Sequence, residues 1–178
     1  PAFFILLFVL SPSQKAHASH VMGADLTYEC LGGETYKIRL TLYRNCEGSA
    51  LSDKLQIAFS SDSCGIPLVF DSVARVNIID VSPLCPASQP LSNCINPSNP
   101  FPGVEEHSYE LDYTLPTQCP DWKVAWSICC RNPSVTNSII PTFSSTRIYV
   151  EATINNLDVT CNSSPTFIQR PVTYICSG

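Results

Sequence analysis

The sequence contains few of the residues that metal sites and catalytic sites most often use. It has only three histidines and no Cys-x-x-Cys spacing, so the usual ligand pattern of a structural zinc site is missing. No Asp-x-Asp-x-Asp-Gly run is present to bind calcium, and no glycine-rich loop is present to hold phosphate. The sequence therefore predicts no metal site, no cofactor and no catalytic constellation.

Basic residues are also scarce. The chain has 10 lysines and arginines against 15 aspartates and glutamates, which gives a net charge of −5. Proteins that bind nucleic acids or anionic lipids carry clustered basic residues, and here the basic residues are scattered. We therefore exclude nucleic acid as a partner.

No apolar run is long enough to cross a membrane. The run Phe3–Leu10 has 8 residues, whereas a spanning helix needs about 20. Ala16-His17-Ala18 follows it, and an apolar run before such a small-x-small triplet is typical of a signal peptide. We expect cleavage after Ala18, which leaves 19–178 as the mature domain, without insertion into a membrane. Because the initial Met and the basic start of a signal are missing, we interpret 1–18 as a front-truncated signal peptide.

Cysteine, in contrast, is abundant. The sequence has ten, all of them after the predicted signal peptide: Cys30, Cys46, Cys64, Cys85, Cys94, Cys119, Cys129, Cys130, Cys161 and Cys176. An even number of cysteines behind an export signal is typical of a disulfide framework in an oxidising compartment. This pattern predicts a protein that is secreted or held at the cell surface, and it leaves the disulfide pairing open.

Apolar and polar residues alternate through most of the mature chain. The alternation is clearest at 36–43, 109–115, 122–128 and 148–154, and shorter candidate strands are 24–30, 54–60, 67–70, 73–79 and 166–175. Successive side chains of a strand point to opposite faces, so each segment can bury one face. We predict an all-β fold, a disulfide-stapled immunoglobulin-like β-sandwich of about eight strands.

Turn residues divide these segments. Gly32-Gly33 lies between two strands and predicts a hairpin. Residues 82–104 contain six prolines, with serine and asparagine between them, and predict a long loop. Cys85 and Cys94 are spaced so that a local disulfide could pin this loop. The loop could divide two sub-domains, but we favour one sandwich because the rhythm of strands and turns continues on both sides.

Candidate groups for acid–base chemistry are few. His20 lies beside the predicted new N-terminus and His107 begins a strand, so we expect both to be solvated or at a strand end. A carboxylate pair could be drawn from four acidic residues: Glu105, Glu106, Asp112 and Asp121. We interpret the first two as the solvated start of a strand. We therefore predict a protein that is not an enzyme.

Three further features each allow two interpretations. Adjacent cysteines in a strand point to opposite faces, so Cys129-Cys130 should bridge to different partners, although a redox-active vicinal pair is the alternative. Trp122 and Trp126 share one strand face, which favours a core position, although an exposed pair could stack on sugar rings. Asn162-Ser163-Ser164 matches the N-glycosylation pattern, which is common by chance.

Several runs together resemble a known group of proteins. The runs are His20–Cys30, Tyr36–Cys46, Cys129-Cys130-Arg131-Asn132, Cys161–Pro165 and Tyr174-Ile175-Cys176. They are similar to the N-terminal region of large secreted surface proteins of gliding-type bacteria. Those proteins carry PKD (polycystic-kidney-disease-type) or cadherin-like repeats further on, and often a C-terminal gliding-motility sorting domain for type IX secretion.

The resemblance implies a non-catalytic, structural or adhesive extracellular module at the N-terminus of a large surface protein, cut off before its repeats. The expected partners are an extracellular protein or glycan and the downstream domains of the same chain. One alternative is a carbohydrate-binding module attached to a downstream hydrolase, with surface aromatics drawn from Tyr43, Tyr149, Trp122 and Trp126. Another is a thiol oxidoreductase at Cys129-Cys130.

Overall fold

Seven β-strands make up almost all of the regular structure. A computed structural model describes residues 21–129 and 147–166. The strands are β1 (Val21–Gly32), β2 (Thr35–Asn45), β3 (Lys54–Ser61), β4 (Ile66–Asp80), β5 (Val104–Thr114), β6 (Trp122–Cys129) and β7 (Arg147–Ile154). The predicted disulfide-stapled all-β fold is confirmed, with seven strands in the described residues where about eight were expected.

The strands form one antiparallel sheet in the order β1-β2-β5-β4-β3-β6-β7. The long strand β4 belongs to two layers, because its residues 66–74 pair with β3 and its residues 74–80 pair with β5. The sheet therefore turns at Ala74 into a sandwich-like arrangement, and β1 contacts β7 where the two ends of the sheet meet.

The core follows from the alternation. On β2 the buried side chains are Tyr36, Ile38, Leu40 and Leu42, and those of the other strands include Phe59, Val73, Tyr109, Trp122, Val124 and Ile154. Each large apolar side chain buried in this way contributes about 1.5–3 kcal/mol relative to an exposed one. The predicted inward faces of β2, β6 and β7 are confirmed.

The predicted hairpin is also confirmed. Gly32 ends β1 opposite Thr35, and Gly33-Glu34 forms the turn into β2; the two glycines have φ angles of +114° and +57°. A residue with a side chain is disfavoured at such angles, so glycine permits the tight turn.

The candidate strands 67–70 and 73–79 are a single strand, so the predicted break between them was wrong. Asp71 and Ser72 are polar, but both remain in the β3–β4 ladder, opposite Ile57 and Gln56. Two polar residues in a row do not end a strand when their backbone stays extended, as that of Asp71 and Ser72 does. Most of the candidate strand 166–175 lies outside the described residues.

Residues 82–103 form the predicted long loop, which contains one short 3-10 helix, Gln89–Leu91. Its base packs closely, because a Cβ atom on Gly103 would collide with Ser92 and with the sulfur of Cys94. The Asn93 side chain accepts a hydrogen bond from the Gly103 N–H at 2.7 Å. β4 before the loop pairs with β5 after it, so the loop is attached to one continuous sheet.

Candidate functional site

Three disulfides connect parts of the chain that are distant in sequence. Cys30–Cys161, Cys46–Cys94 and Cys64–Cys119 close separations of 131, 48 and 55 residues. Cys85 and Cys129 are also disulfide-bonded, so no cysteine of the described part is a free thiol. Disulfides of this number indicate an oxidising environment outside the cytoplasm.

The predicted local disulfide between Cys85 and Cys94 was wrong. Cys94 bonds to Cys46 at the end of β2 instead. The loop folds back on the sheet, where the Asn93 side chain also donates a hydrogen bond to Glu47 at 3.2 Å. Sequence spacing did not reveal this pairing, because β2 and the loop meet only in the folded chain.

The disulfide Cys30–Cys161 closes the sandwich beside β1. The segment after β7 lies along the outer edge of this strand, where the backbone N–H groups of Tyr28 and Cys30 donate to the hydroxyls of Ser164 and Ser163 at 2.9 and 3.0 Å. The edge of β1 at Tyr28 and Cys30 is therefore occupied by the chain's own groups, which is one way in which natural sheets avoid unwanted pairing.

The same contacts bear on the glycosylation pattern at Asn162. This side chain is half-buried, and its Oδ1 atom is enclosed without a hydrogen-bond partner. The hydroxyl of Ser164, which completes the pattern, also donates to the Tyr28 carbonyl at 3.2 Å. The pattern is thus part of the closure beside β1.

His107 is neither solvated nor at the end of its strand, so that expectation was wrong. It is buried within β5, with Nε2 at 3.0 Å from Oε2 of Glu105 and Nδ1 at 3.3 Å from Nη1 of Arg75. Arginine can only donate, so Nδ1 must accept and Nε2 must carry the proton that it donates to Glu105. Both ring nitrogens are thereby occupied in a neutral histidine.

Glu105 joins this histidine to a second arginine. Arg44 donates to Oε2 of Glu105 from Nη2 at 2.6 Å and from Nε at 3.1 Å. The side chain of Glu105 is mostly shielded from solvent, so its interpretation as a solvated start of a strand was wrong. Arg44, Arg75, Glu105 and His107 occupy inward-facing positions on β2, β4 and β5, where these three strands meet. Their polar side chains lie at the end of the apolar core.

The two arginines also hold the loop between β2 and β3. Arg44 donates to the Gly48 carbonyl at 2.7 Å, and Arg75 donates to the Leu51 carbonyl at 3.1 Å and to the carboxylate of Asp53. We call these five residues, Arg44, Asp53, Arg75, Glu105 and His107, the polar cluster. Its geometry ties a loop to the sheet and leaves no ring nitrogen available as a general base.

The polar cluster should make the fold sensitive to acid. Burial lowers the pKa of His107 below its ordinary value of 6.5, although the Glu105 carboxylate opposes this. Burial would raise the pKa of Glu105, but hydrogen bonds from Arg44 and His107 outweigh it and lower that pKa below 4.5. Both groups bind protons more weakly in the folded state, so stability should fall as pH falls below 6.5, and again below 4.5.

Urea unfolding at stepped pH values measures this effect. The matched control is His107→Gln, which keeps a neutral donor and an acceptor but does not titrate. It should flatten the dependence between pH 6.5 and 5 and leave the loss below pH 4.5 in place. Identical slopes for the two proteins above pH 5 would contradict the prediction.

Two other acidic candidates, Asp121 and Asp112, each bond to a neighbour that is not a carboxylate. Asp121 accepts from the Ser61 hydroxyl at 2.5 Å and from the Ser63 N–H at 3.0 Å, and Asp112 bonds to Lys37 at 2.8 Å. Hydrogen bonds from Ser61 and Ser63 lower the pKa of Asp121, so it stays ionised and suits an acceptor role.

One group of metal-type ligands occurs in the described residues. The sulfurs of Cys46 and Cys94 and a carboxylate oxygen of Glu105 lie within 4.8 Å of one another. The two sulfurs are bonded to each other, so they present no thiolates, and Glu105 is occupied by Arg44. This proximity results from packing of the disulfide against the polar cluster.

Trp122 and Trp126 are buried, as the strand pattern predicted. The indole N–H of Trp122 donates to the Thr117 carbonyl at 3.1 Å. The carbohydrate-binding alternative therefore loses two of its four aromatic candidates. The remaining two, Tyr43 and Tyr149, lie on β2 and β7, which are not neighbours in the sheet.

A polar cleft of about 410 Å³ lies on the outer face of β1 and β2. Its basic side chains are already paired, because Lys37 bonds to Asp112 and Arg39 bonds to Glu110, each at 2.8 Å. The hydroxyls of Ser163 and Ser164 in its wall serve the β1 backbone. The cleft thus has few groups left to orient a ligand.

Three consecutive exposed apolar side chains lie on β4, and they were not among the residues predicted from the sequence to form a site. Leu68, Val69 and Phe70 are 58%, 44% and 61% exposed. We call residues 66–73 the β4 edge. The signal in the sequence is the run Leu68-Val69-Phe70. A strand with one polar face alternates apolar and polar residues, so three apolar residues in a row indicate apolar side chains on both faces.

Within residues 21–129 and 147–166, no helix is long and apolar enough to cross a membrane. Comparison of the chain with family models, with curated proteins and with solved structures finds no match.

Proposed function

We propose that this chain is a non-catalytic extracellular module with a structural or adhesive role at the N-terminus of a large bacterial surface protein. The observation that carries this proposal is the cross-linked frame, in which three disulfides join segments that are 48 to 131 residues apart. Such links keep a domain folded where no cellular machinery repairs it, because they constrain the unfolded chain. Export by a signal peptide and membership of the PKD and gliding-motility group form part of the same proposal.

The side chains that could perform chemistry support a non-catalytic role. His107, Glu105 and Asp121 each satisfy a neighbouring part of the fold. A general base needs a free lone pair directed at a substrate, and His107 has none. Cys129 is disulfide-bonded, but Cys130 lies outside the described residues, so the thiol oxidoreductase alternative stays a prediction.

A deletion in the native host tests the adhesive role. Removing the codons for residues 19–178, and keeping the signal peptide and all downstream sequence, should lower attachment of the cells to a surface severalfold. Immunoblotting of the exported protein controls for secretion. Normal attachment by cells that export the shortened protein would refute the adhesive role.

The state of the thiols tests the compartment separately. Alkylation followed by mass spectrometry of the protein from its native host should find Cys30, Cys46 and Cys64 unmodified until a reductant is added. Several free thiols in the exported protein would contradict the cross-linked frame.

A further inference from the structure

The β4 edge has backbone groups without a strand partner in the described structure. Residues 66–73 pair with β3 on one side only, and the ladder to β5 begins at Ala74. On the outer edge of β1, in contrast, Ser163 and Ser164 occupy backbone groups of Cys30 and Tyr28. An open edge presents a row of N–H and C=O groups that another extended chain can pair with.

The side chains of this edge are apolar on both faces. Phe70 lies opposite Ala58 and points outward, and Leu68 shares that face. Val69 lies opposite the buried Phe59 and points inward, yet it is 44% exposed, and none of the seven described strands pairs with that side of it. An added strand could therefore bury apolar area on both faces of the sheet.

The side chains beside Phe70 on the outer face of the sheet are small. Ala58 pairs with Phe70 on one side and with Ala125 of β6 on the other. Two small side chains next to a large exposed ring leave room for the side chains of a partner. An exposed apolar patch of this kind usually marks an interaction site.

The negative charge near the β4 edge favours a positively charged partner. Asp71 lies within the edge and forms no ion pair in the described part of the chain, whereas Asp62, in the turn that leads into β4, pairs with Lys123. The chain as a whole carries a net charge of −5. A second copy would bring the same acidic edge and the same net charge, so a cationic segment is the complementary occupant.

We propose that the β4 edge binds an extended segment of another protein by strand addition. The segment alternates apolar residues with polar ones and carries Lys or Arg opposite Asp71. Main-chain hydrogen bonds would supply affinity, while contacts with Leu68 and Phe70 would supply specificity. This inference rests on the proposed function, since it names the partner chemistry of an adhesive module.

Selection from a random library of nine-residue peptides displayed on phage tests the inference with the oxidised exported chain. The enriched peptides should alternate β-branched or aromatic residues with polar ones and contain Lys or Arg. Replacing Leu68→Ser together with Phe70→Ser should weaken their binding by about tenfold or more. Ile95→Ser, at an exposed apolar residue of the loop 82–103, is the matched control and should not change it.

One further protein variant and one modified peptide separate the charge contribution from the main-chain hydrogen bonds. Asp71→Asn should weaken the basic peptides, and N-methylation of alternate peptide nitrogens should abolish binding because it removes main-chain donors. Circular dichroism checks that each variant is folded. Enrichment of acidic peptides, equal binding by N-methylated peptides, or an unchanged affinity in the β4 double variant would overturn the proposal.

Two outcomes distinguish this inference from the proposed function. Self-association of the chain that disappears in the double variant would make a second copy the occupant and overturn a cationic partner. Normal attachment by cells that carry the double variant, alongside lost attachment in the deletion strain, would overturn the β4 docking edge and leave the adhesive role intact.

Discussion

Replacing Cys30→Ala together with Cys161→Ala should lower the free energy of unfolding by about 4 kcal/mol. This disulfide closes a separation of 131 residues, and an unfolded chain gains more conformational freedom when a longer loop is released. It also holds Cys161 at a φ of +59°, in a region that residues with side chains seldom adopt. Guanidinium unfolding of the oxidised proteins measures the difference.

The pair Cys46→Ala and Cys94→Ala is the matched comparison, because it removes a disulfide that spans 48 residues. Removing this disulfide should lower the free energy of unfolding by about 1 kcal/mol less than removing Cys30–Cys161, because the entropy of loop closure grows with the logarithm of loop length. A loss below about 1 kcal/mol for the Cys30–Cys161 variant would show that this link does not stabilise the fold. Equal m-values for the variants would confirm that the denatured states are comparable.

Trp122→Ala should cost about 3–5 kcal/mol. The indole is 0% exposed at the start of β6, and its removal leaves a cavity and takes away one of the two donors to the Thr117 carbonyl, which keeps its hydrogen bond from Asn156. The strand would remain in place because its backbone pairs with β3 and β7. Thermal and urea unfolding, followed by far-ultraviolet circular dichroism, measure the loss.

Tyr149→Ala is the control for this substitution, since Tyr149 lies on the neighbouring strand and is 58% exposed. The free energy of unfolding of the Tyr149→Ala variant should remain within about 0.5 kcal/mol of the wild-type value. Similar losses for the two variants would contradict the assignment of Trp122 to the core. A change in glycan binding on replacing Tyr149 alone would revive the carbohydrate alternative.

The candidate site divides into residues that local pattern identified and residues that it misjudged. Strand parity correctly assigned Trp122 to the core, because side chains two residues apart share a face whatever the rest of the chain does. The burial of His107 was missed although the same rule places it on the face of Tyr109; its partner Arg75, which lies on another strand, could not be read from local spacing. The β4 edge was missed for a related reason: which strand lacks a neighbour is a property of the whole sheet.

The sequence by itself determined the all-β class, the inward faces of β2, β6 and β7, the hairpin at Gly32-Gly33 and the loop after β4. These features arise from the two-residue period of a strand and from residues that turn the backbone, so they act over a few positions. Only the tertiary structure decided that Cys94 meets Cys46, that His107 lies between Glu105 and Arg75, and that residues 66–73 form an open edge. Each of these depends on contacts between segments that are far apart in the chain, where local spacing carries no information about distance.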